Sequence, residues 1–261
     1  MTRPDHELPF FFGEGGELFG IYHQAARPSA RAVLLCAPLG QDHMRCHRIY
    51  RQLACTLAGQ GMPVLRFDYY GCGDSAGGSA EVDWLRCLDD IAAAARELRA
   101  RSGAERVLAF GARLGASMAL AAAAAAAGID EVVAWDPVVD GAAFVATQDA
   151  MQEAMRQDTH RFVCPRQRAE AVGQWLGFPV SSTLRGQVEG WRAASRVAPS
   201  LLLDSMARPA AEWRQLFGEK TRIESLEPTT PWDDLARLEA AVISHPLVQA
   251  VASHWRERAY A

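Results

Sequence analysis

Apolar residues enter this chain in short unbroken blocks separated by longer stretches of helical spacing. Pro9–Phe12 and Glu17–His23 are β-type runs on either side of Gly13-Glu14-Gly15-Gly16, a glycine-rich hairpin turn. Ala32-Val33-Leu34-Leu35-Cys36 is apolar throughout, as a parallel strand covered on both faces must be. It runs into a loop, Ala37-Pro38-Leu39-Gly40. From Cys46 to Gly61 the positions Ile49, Leu53 and Leu57 predict a helix, and Pro63–Asp68 is the next buried strand. A glycine loop follows, then a helix over Glu81–Ala100 with Trp84, Leu85, Ile91 and Leu98 on its apolar face. Arg106–Phe110 is strand, Ala116–Ala127 is helix through seven consecutive alanines, and Glu131–Trp135 is strand again. This alternation predicts right-handed βαβ units and a mostly parallel central sheet with helices on both faces.

The alternation stops at Gly141. Between 141 and 199 there are three helical stretches, Phe144–Arg156, Gln167–Leu176 and Ser182–Ala194, and no strand pattern. Leu201–Asp204 then restores the sheet. Ala210–Phe217 is helical, Thr221–Leu226 is the last strand, and Leu235–Ala241 and Leu247–Arg258 are closing helices. The expected organisation is one α/β domain over 1–261 in which 141–199 is a helical cap insertion above the carboxyl edge of the sheet.

Composition narrows the chemistry. A net charge of −4 and a pI of about 6.0 give no footprint for nucleic acid or for an anionic membrane surface. No apolar stretch reaches the roughly 18 residues that a membrane span requires, and the N-terminus has no signal-peptide core. The six cysteines lack paired C-x-x-C spacing and mostly lie in apolar segments, which reads as buried reduced thiols. The expectation is a cytoplasmic protein with no metal and no cofactor. Nothing in the pattern sets an oligomeric state.

The most informative segment is Gly111-Ala112-Arg113-Leu114-Gly115, a Gly-x-x-x-Gly turn between a strand and a helix. Together with the hairpin, the Pro38-Leu39-Gly40 loop and the run Arg66-Phe67-Asp68-Tyr69-Tyr70-Gly71-Cys72-Gly73-Asp74-Ser75, it resembles the α/β-hydrolase superfamily. Within that superfamily the chain is most similar to the serine-aminopeptidase-like branch, including hydrolases associated with exosortase systems, some of which carry the same Gly-x-Arg-Leu-Gly turn. The resemblance is strong over about residues 8 to 140. It implies the α/β-hydrolase fold and a nucleophile elbow at residue 113, where a serine is usual and arginine stands here. It also implies an oxyanion hole made by the backbone N–H of Leu114 and that of Leu39 or Gly40. The acid should follow the strand after the cap, and the histidine should follow the last strand.

On that pattern Asp204 is the candidate acid, although a cap at a strand end explains it as well. Glu227–Trp232 contains no histidine, so the nearest candidate base is His245, better placed as a helix-boundary residue. Cys72, in the glycine loop, is the alternative nucleophile if Arg113 lowers its pKa; a small apolar filler is the plainer role. Ser117 is expected to bond back to its own helix, Ser75 and Asp74 to fix loop turns, and His43 and His47 to line the mouth or decorate a helix start. Arginine neither attacks nor accepts a proton near neutral pH. Arg113 therefore either binds an anion in the old active-site pocket or is neutralised by an internal carboxylate, such as Asp136, Asp140 or Asp204. The function expected is a non-classical member that binds an acyl, thioester or carboxylate small molecule, free or on a carrier protein, within a biosynthetic pathway. The alternative is an esterase, thioesterase, acyltransferase or lyase-like enzyme that works without the usual triad.

Overall fold

The computed structural model of the chain describes residues 7–158, 161, 164, 173–193 and 197–257. Eight strands form one sheet: β1 (Glu7–Phe12), β2 (Leu18–His23), β3 (Arg31–Cys36), β4 (Val64–Phe67), β5 (Arg106–Ala112), β6 (Glu131–Trp135), β9 (Leu201–Asp204) and β10 (Ile223–Ser225). Their order is β1-β2-β4-β3-β5-β6-β9-β10. β1, β2 and β4 pair antiparallel, and every neighbouring pair from β4 to β10 is parallel. The apolar blocks are buried as expected, with Ala32 to Cys36 and Val107 to Phe110 inaccessible to solvent. Covering helices are α1 (Gly40–Gly59), α2 (Trp84–Ser102), α3 (Arg113–Ala124), α6 (Ala210–Phe217) and α7 (His245–Glu257). α1 packs with α7, and α2 with α3.

Because six strands run in parallel, their carboxyl ends open on one edge. The loops that leave that edge carry Leu39, the Gly71–Gly78 turn, Arg113, Asp136, Ser205 and the 226–234 segment. This is the α/β-hydrolase fold.

Several elements differ from the pattern reading. α1 begins at Gly40, six residues earlier than its apolar repeat, so the Pro38-Leu39-Gly40 loop ends inside a helix N-terminus. The alanine run does not hold its helix to the end. α3 stops at Ala124, and Ala126 and Gly128 turn to φ +55° and +80° to bring the chain back to β6. Propensity favours helix there, but the strand must be reached within a few residues.

Between 141 and 193 the described residues form α4 (Gly141–Gln157), a two-stranded hairpin of β7 (Gln174–Trp175) and β8 (Phe178–Pro179), and α5 (Ser182–Glu189). The hairpin replaces the end of the helix expected over Gln167–Leu176, whose residues 167–172 lie outside the described ones. Leu176 at φ +53° and Gly177 at +92° make the turn. Two-residue strands are too short to show a period. In place of a helix over Leu235–Ala241 there is only a 3-10 turn, Leu235–Arg237, capped by Asp234.

Candidate functional site

The strand-to-helix turn at Arg113 has the geometry its glycines demand. Arg113 sits at φ +50°, a left-handed conformation that costs a non-glycine residue of order 1–3 kcal/mol unless packing fixes it. A Cβ on Gly111 would lie 2.6 Å from the amide nitrogen of Ala116, and one on Gly115 would fall onto the carbonyls of Cys36 and Ala37. Glycine at both positions is what lets α3 lie directly on the backbone that leads out of β3.

The Arg113 side chain is 7% exposed and crosses the edge of the sheet. Its Nε donates to Asp42 Oδ2 at 3.4 Å, Nη2 to Asp233 Oδ1 at 3.4 Å, and Nη1 to Met206 Sδ at 3.3 Å. The guanidinium carbon lies 5.5 Å from the centre of the Phe144 ring and 5.4 Å from that of Trp232. Internal neutralisation is thus realised, with partners other than those expected. Asp140 instead caps α4 and pairs with Arg192, and Asp136 bonds elsewhere. Asp42 lies 71 positions from Arg113 and Asp233 lies 120, so no local spacing advertises either contact.

The loops after β9 and β10 are where the resemblance puts the acid and the histidine. The residues that reach Arg113 from them are Met206, Trp232 and Asp233. Trp232 also lies under Arg45, whose guanidinium is 5.5 Å from the ring centre. Arg45 is buried and donates to the carbonyls of Trp232 at 2.9 Å, Pro231 at 2.8 Å and Ala240 at 3.4 Å, which fastens this loop to α1. Beneath lies Asp136, at φ +42° and inaccessible to solvent. It accepts from Trp232 Nε1 at 2.7 Å, from Ser205 N at 2.8 Å and from the Ser205 hydroxyl. Burial pushes the carboxyls of Asp136 and Asp42 above their ordinary range, and nearby Arg113 offsets part of that rise.

The predicted oxyanion residues converge. Leu39, Gly40 and Leu114 line one cavity of about 170 Å³ with Cys72, Phe144, Trp175, Phe178 and Leu184. Leu39 caps α1, Gly40 opens it, and Leu114 is in the first turn of α3. Amides at helix starts have no partner within the helix and carry the positive end of its dipole, and two such starts border this largely apolar chamber. Arg113 borders it through Asp42 and Phe144, which are shared walls.

Other expected residues are placed as follows. Cys72 is in the chamber, but burial, reinforced by Asp68 and Asp90, pushes its thiol up to about 12. The Arg113 guanidinium pairs with Asp42 and Asp233 and makes no hydrogen bond to this thiol among the described residues. Ser117 donates to Val138 O at 2.7 Å and Arg113 O at 3.2 Å, and Ser75 donates to Asp68 O at 2.6 Å. His245 is exposed at the start of α7, 3.0 Å from Gln249 one turn on, and does not line the chamber. Asp204 is buried at the end of β9, and neither carboxylate oxygen has a hydrogen-bond partner. It does not reach Arg113. His43, by contrast, lines the mouth, 3.9 Å from Asp68 Oδ1, and burial draws its pKa below the ordinary value against the pull of Asp68.

Among the described residues, one trio has metal-type donors close together: Glu7, His23 and Cys55, on β1, β2 and α1. Its acceptors are already engaged. Arg66 Nε donates to His23 Nε2 at 3.0 Å, and Arg51 Nε to Glu7 Oε1 at 2.9 Å. Burial and Arg66 draw the His23 pKa down to about 4. Two guanidiniums beside the trio oppose a further cation.

A sheet of this order, with a strained elbow and two helix starts facing one chamber, defines an α/β hydrolase by class. Within that class, residues 17–171 match the family model of serine aminopeptidase S33, and the chain belongs to that family. Comparison with curated protein sequences found no match. Similar solved structures include Est1E from Butyrivibrio proteoclasticus with ferulic acid bound, at 16% identity over 94% of this chain and 96% of that one, TM-score 0.63. An α/β serine hydrolase without lid from Xanthomonas campestris aligns at 17% identity over 98% and 97%, TM-score 0.56. A thermostable carboxyl esterase from Bacillus coagulans, in complex with glycerol, aligns at 14% over 96% and 97%, TM-score 0.57. At these identities the likeness is one of fold. No helix among the described residues is long and apolar enough to cross a membrane.

Proposed function

We propose that this chain binds a small acyl or single-ring aryl carbonyl compound, as ester, thioester or carboxylate, in the elbow chamber, without a covalent intermediate on the elbow residue. The observation that carries this reading is the convergence of Leu39, Gly40 and Leu114 on one apolar cavity. Its 170 Å³ suit one ring or a short chain, since an engineered apolar cavity of roughly 150 Å³ holds benzene. α4, the β7–β8 hairpin and α5 serve as the lid, supplying Phe144, Trp175, Phe178 and Leu184. Arg113 has no lone pair to offer a carbonyl, and its charge is matched by Asp42 and Asp233, so it braces the chamber wall instead of receiving an anion.

A second reading rests on His43. Its imidazole is held neutral at the chamber mouth, which suits a base that directs water onto a carbonyl held by the amides. The two readings part on turnover. Binding of hexanoate and benzoate thioesters is measured by calorimetry alongside hydrolysis, with fluorophosphonate labelling followed by intact mass. Binding without turnover or adduct supports the first reading. Turnover lost in His43→Gln supports the second. A stoichiometric adduct on one serine overturns both.

A further inference from the structure

The chamber does not end at its mouth. His43, Met44 and Gly73 are also walls of a neighbouring groove of about 550 Å³, lined further by Phe19, Ile21, Tyr50, Phe67, Arg48 and Arg66. His47 and Arg48 in turn border an open depression that continues along α1 to Cys55 and Thr56. Three depressions therefore form one track beside α1, apolar at the elbow and arginine-lined at the far end.

The groove is lined by charges of both signs, Asp68 and Asp74 together with Arg48 and Arg66. Asp68 Oδ2 accepts from Asp74 N, and Oδ1 faces His43. Neither arginine forms an ion pair within 4 Å among the described residues. The hydrogen bond of Arg66 is to the neutral ring of His23. The half-buried Arg66 guanidinium has no direct ion pair to offset the desolvation of its charge, only the longer-range pull of Glu7 and Asp68. Burial accordingly pulls Arg66 below its ordinary pKa. Two forked guanidiniums facing one groove match a phosphate, whose oxygens accept in pairs.

We propose that this groove binds the leaving-group half of the ligand, a linear arm that ends in phosphate, while the acyl or aryl half sits in the elbow chamber. The proposal rests on the chamber reading above and names its substrate class: an ester or thioester of a phosphate-terminated arm. Eight residues separate Gly40 from Arg48, so their backbones lie about 12 Å apart along the helix axis, and the reach of the Arg48 side chain extends that span. Phe19, Ile21 and Phe67 cover the apolar part of the arm.

The test compares S-hexanoyl-pantetheine with its 4′-phosphate by calorimetry at low salt. The full chain is expected to prefer the phosphate form by about tenfold or more, in keeping with two charge-assisted contacts. Arg48→Gln, an exposed position, is expected to remove most of that preference without changing affinity for the phosphate-free compound; Arg66→Gln should do the same where it folds. Equal binding of both compounds by the unaltered chain overturns the groove proposal and leaves the chamber reading standing. Failure of both compounds to bind overturns the two together. A carrier protein bearing the same hexanoyl arm, run beside the free phosphate form, identifies the source of the arm by which of them binds more tightly.

Discussion

The elbow chamber and the groove beside α1 share a helix and three residues, yet they treat positive charge in opposite ways. At the elbow, Arg113 is enclosed by two aspartates, a thioether and two rings, and all three nitrogens of Arg45 donate to carbonyls. In the groove, Arg48 and Arg66 form no ion pair within 4 Å among the described residues, although Asp68 and Asp74 line the same space. A cation whose hydrogen bonds are all made inside the protein is architecture; one with free donors beside open space is available to a ligand. Position in the elbow turn is therefore a poorer guide to binding than the state of a side chain's hydrogen bonds.

Substitution should break that contrast in a definite order. The largest expected effect is on Arg45. Arg45→Met strands three carbonyls and leaves the loop after β10 held to α1 through Gln41 on Leu238 O and Val242 N on the main-chain carbonyl of residue 45. Urea unfolding should show a loss of roughly 3 kcal/mol or more, since hydrogen bonds to charged groups contribute about 1.5–3 kcal/mol each. Arg113→Met should cost less, about 1–3 kcal/mol at pH 7, because it leaves Asp42 able to take up a proton. Its pH dependence carries a sign. Asp42 already binds its proton more tightly folded than its ordinary 3.8, so its contribution is complete below that value and is lost as pH rises through the folded pKa. Without Arg113 that pKa climbs further, and the variant's stability should fall more steeply than the parent's between pH 4 and 7. A parallel pair of curves would show that Asp42 and Arg113 are not coupled. The smallest effect belongs to Arg48→Gln, expected within about 0.5 kcal/mol of the parent because no internal partner is lost. A larger loss would move Arg48 to the architectural side of the comparison.

Much of this could be read in the chain before folding. Parallel strands covered on both faces leave continuous apolar blocks, and the loop and elbow glycines mark where Leu39, Gly40 and Leu114 come to line one cavity. The β7–β8 hairpin was invisible because two-residue strands have no period. Asp42 and Asp233 were invisible for another reason: each looks like an ordinary polar residue at a helix start or in a loop, and only the closing of the sheet edge brings them to Arg113. Trp232 and Asp233 did carry one signal, since they follow the last strand where the resemblance looks for a histidine. The groove had none, because it is defined by what Arg48 and Arg66 lack.

Gly115 has a consequence for which parts of such a site can change. Its missing side chain seats α3 on the carbonyls of Cys36 and Ala37, just before Leu39, so this glycine limits how closely the start of α3 approaches the start of α1. That contact is made by main chain alone. In the reading proposed above, the elbow side chain can change while the walls of the chamber keep their distance from one another.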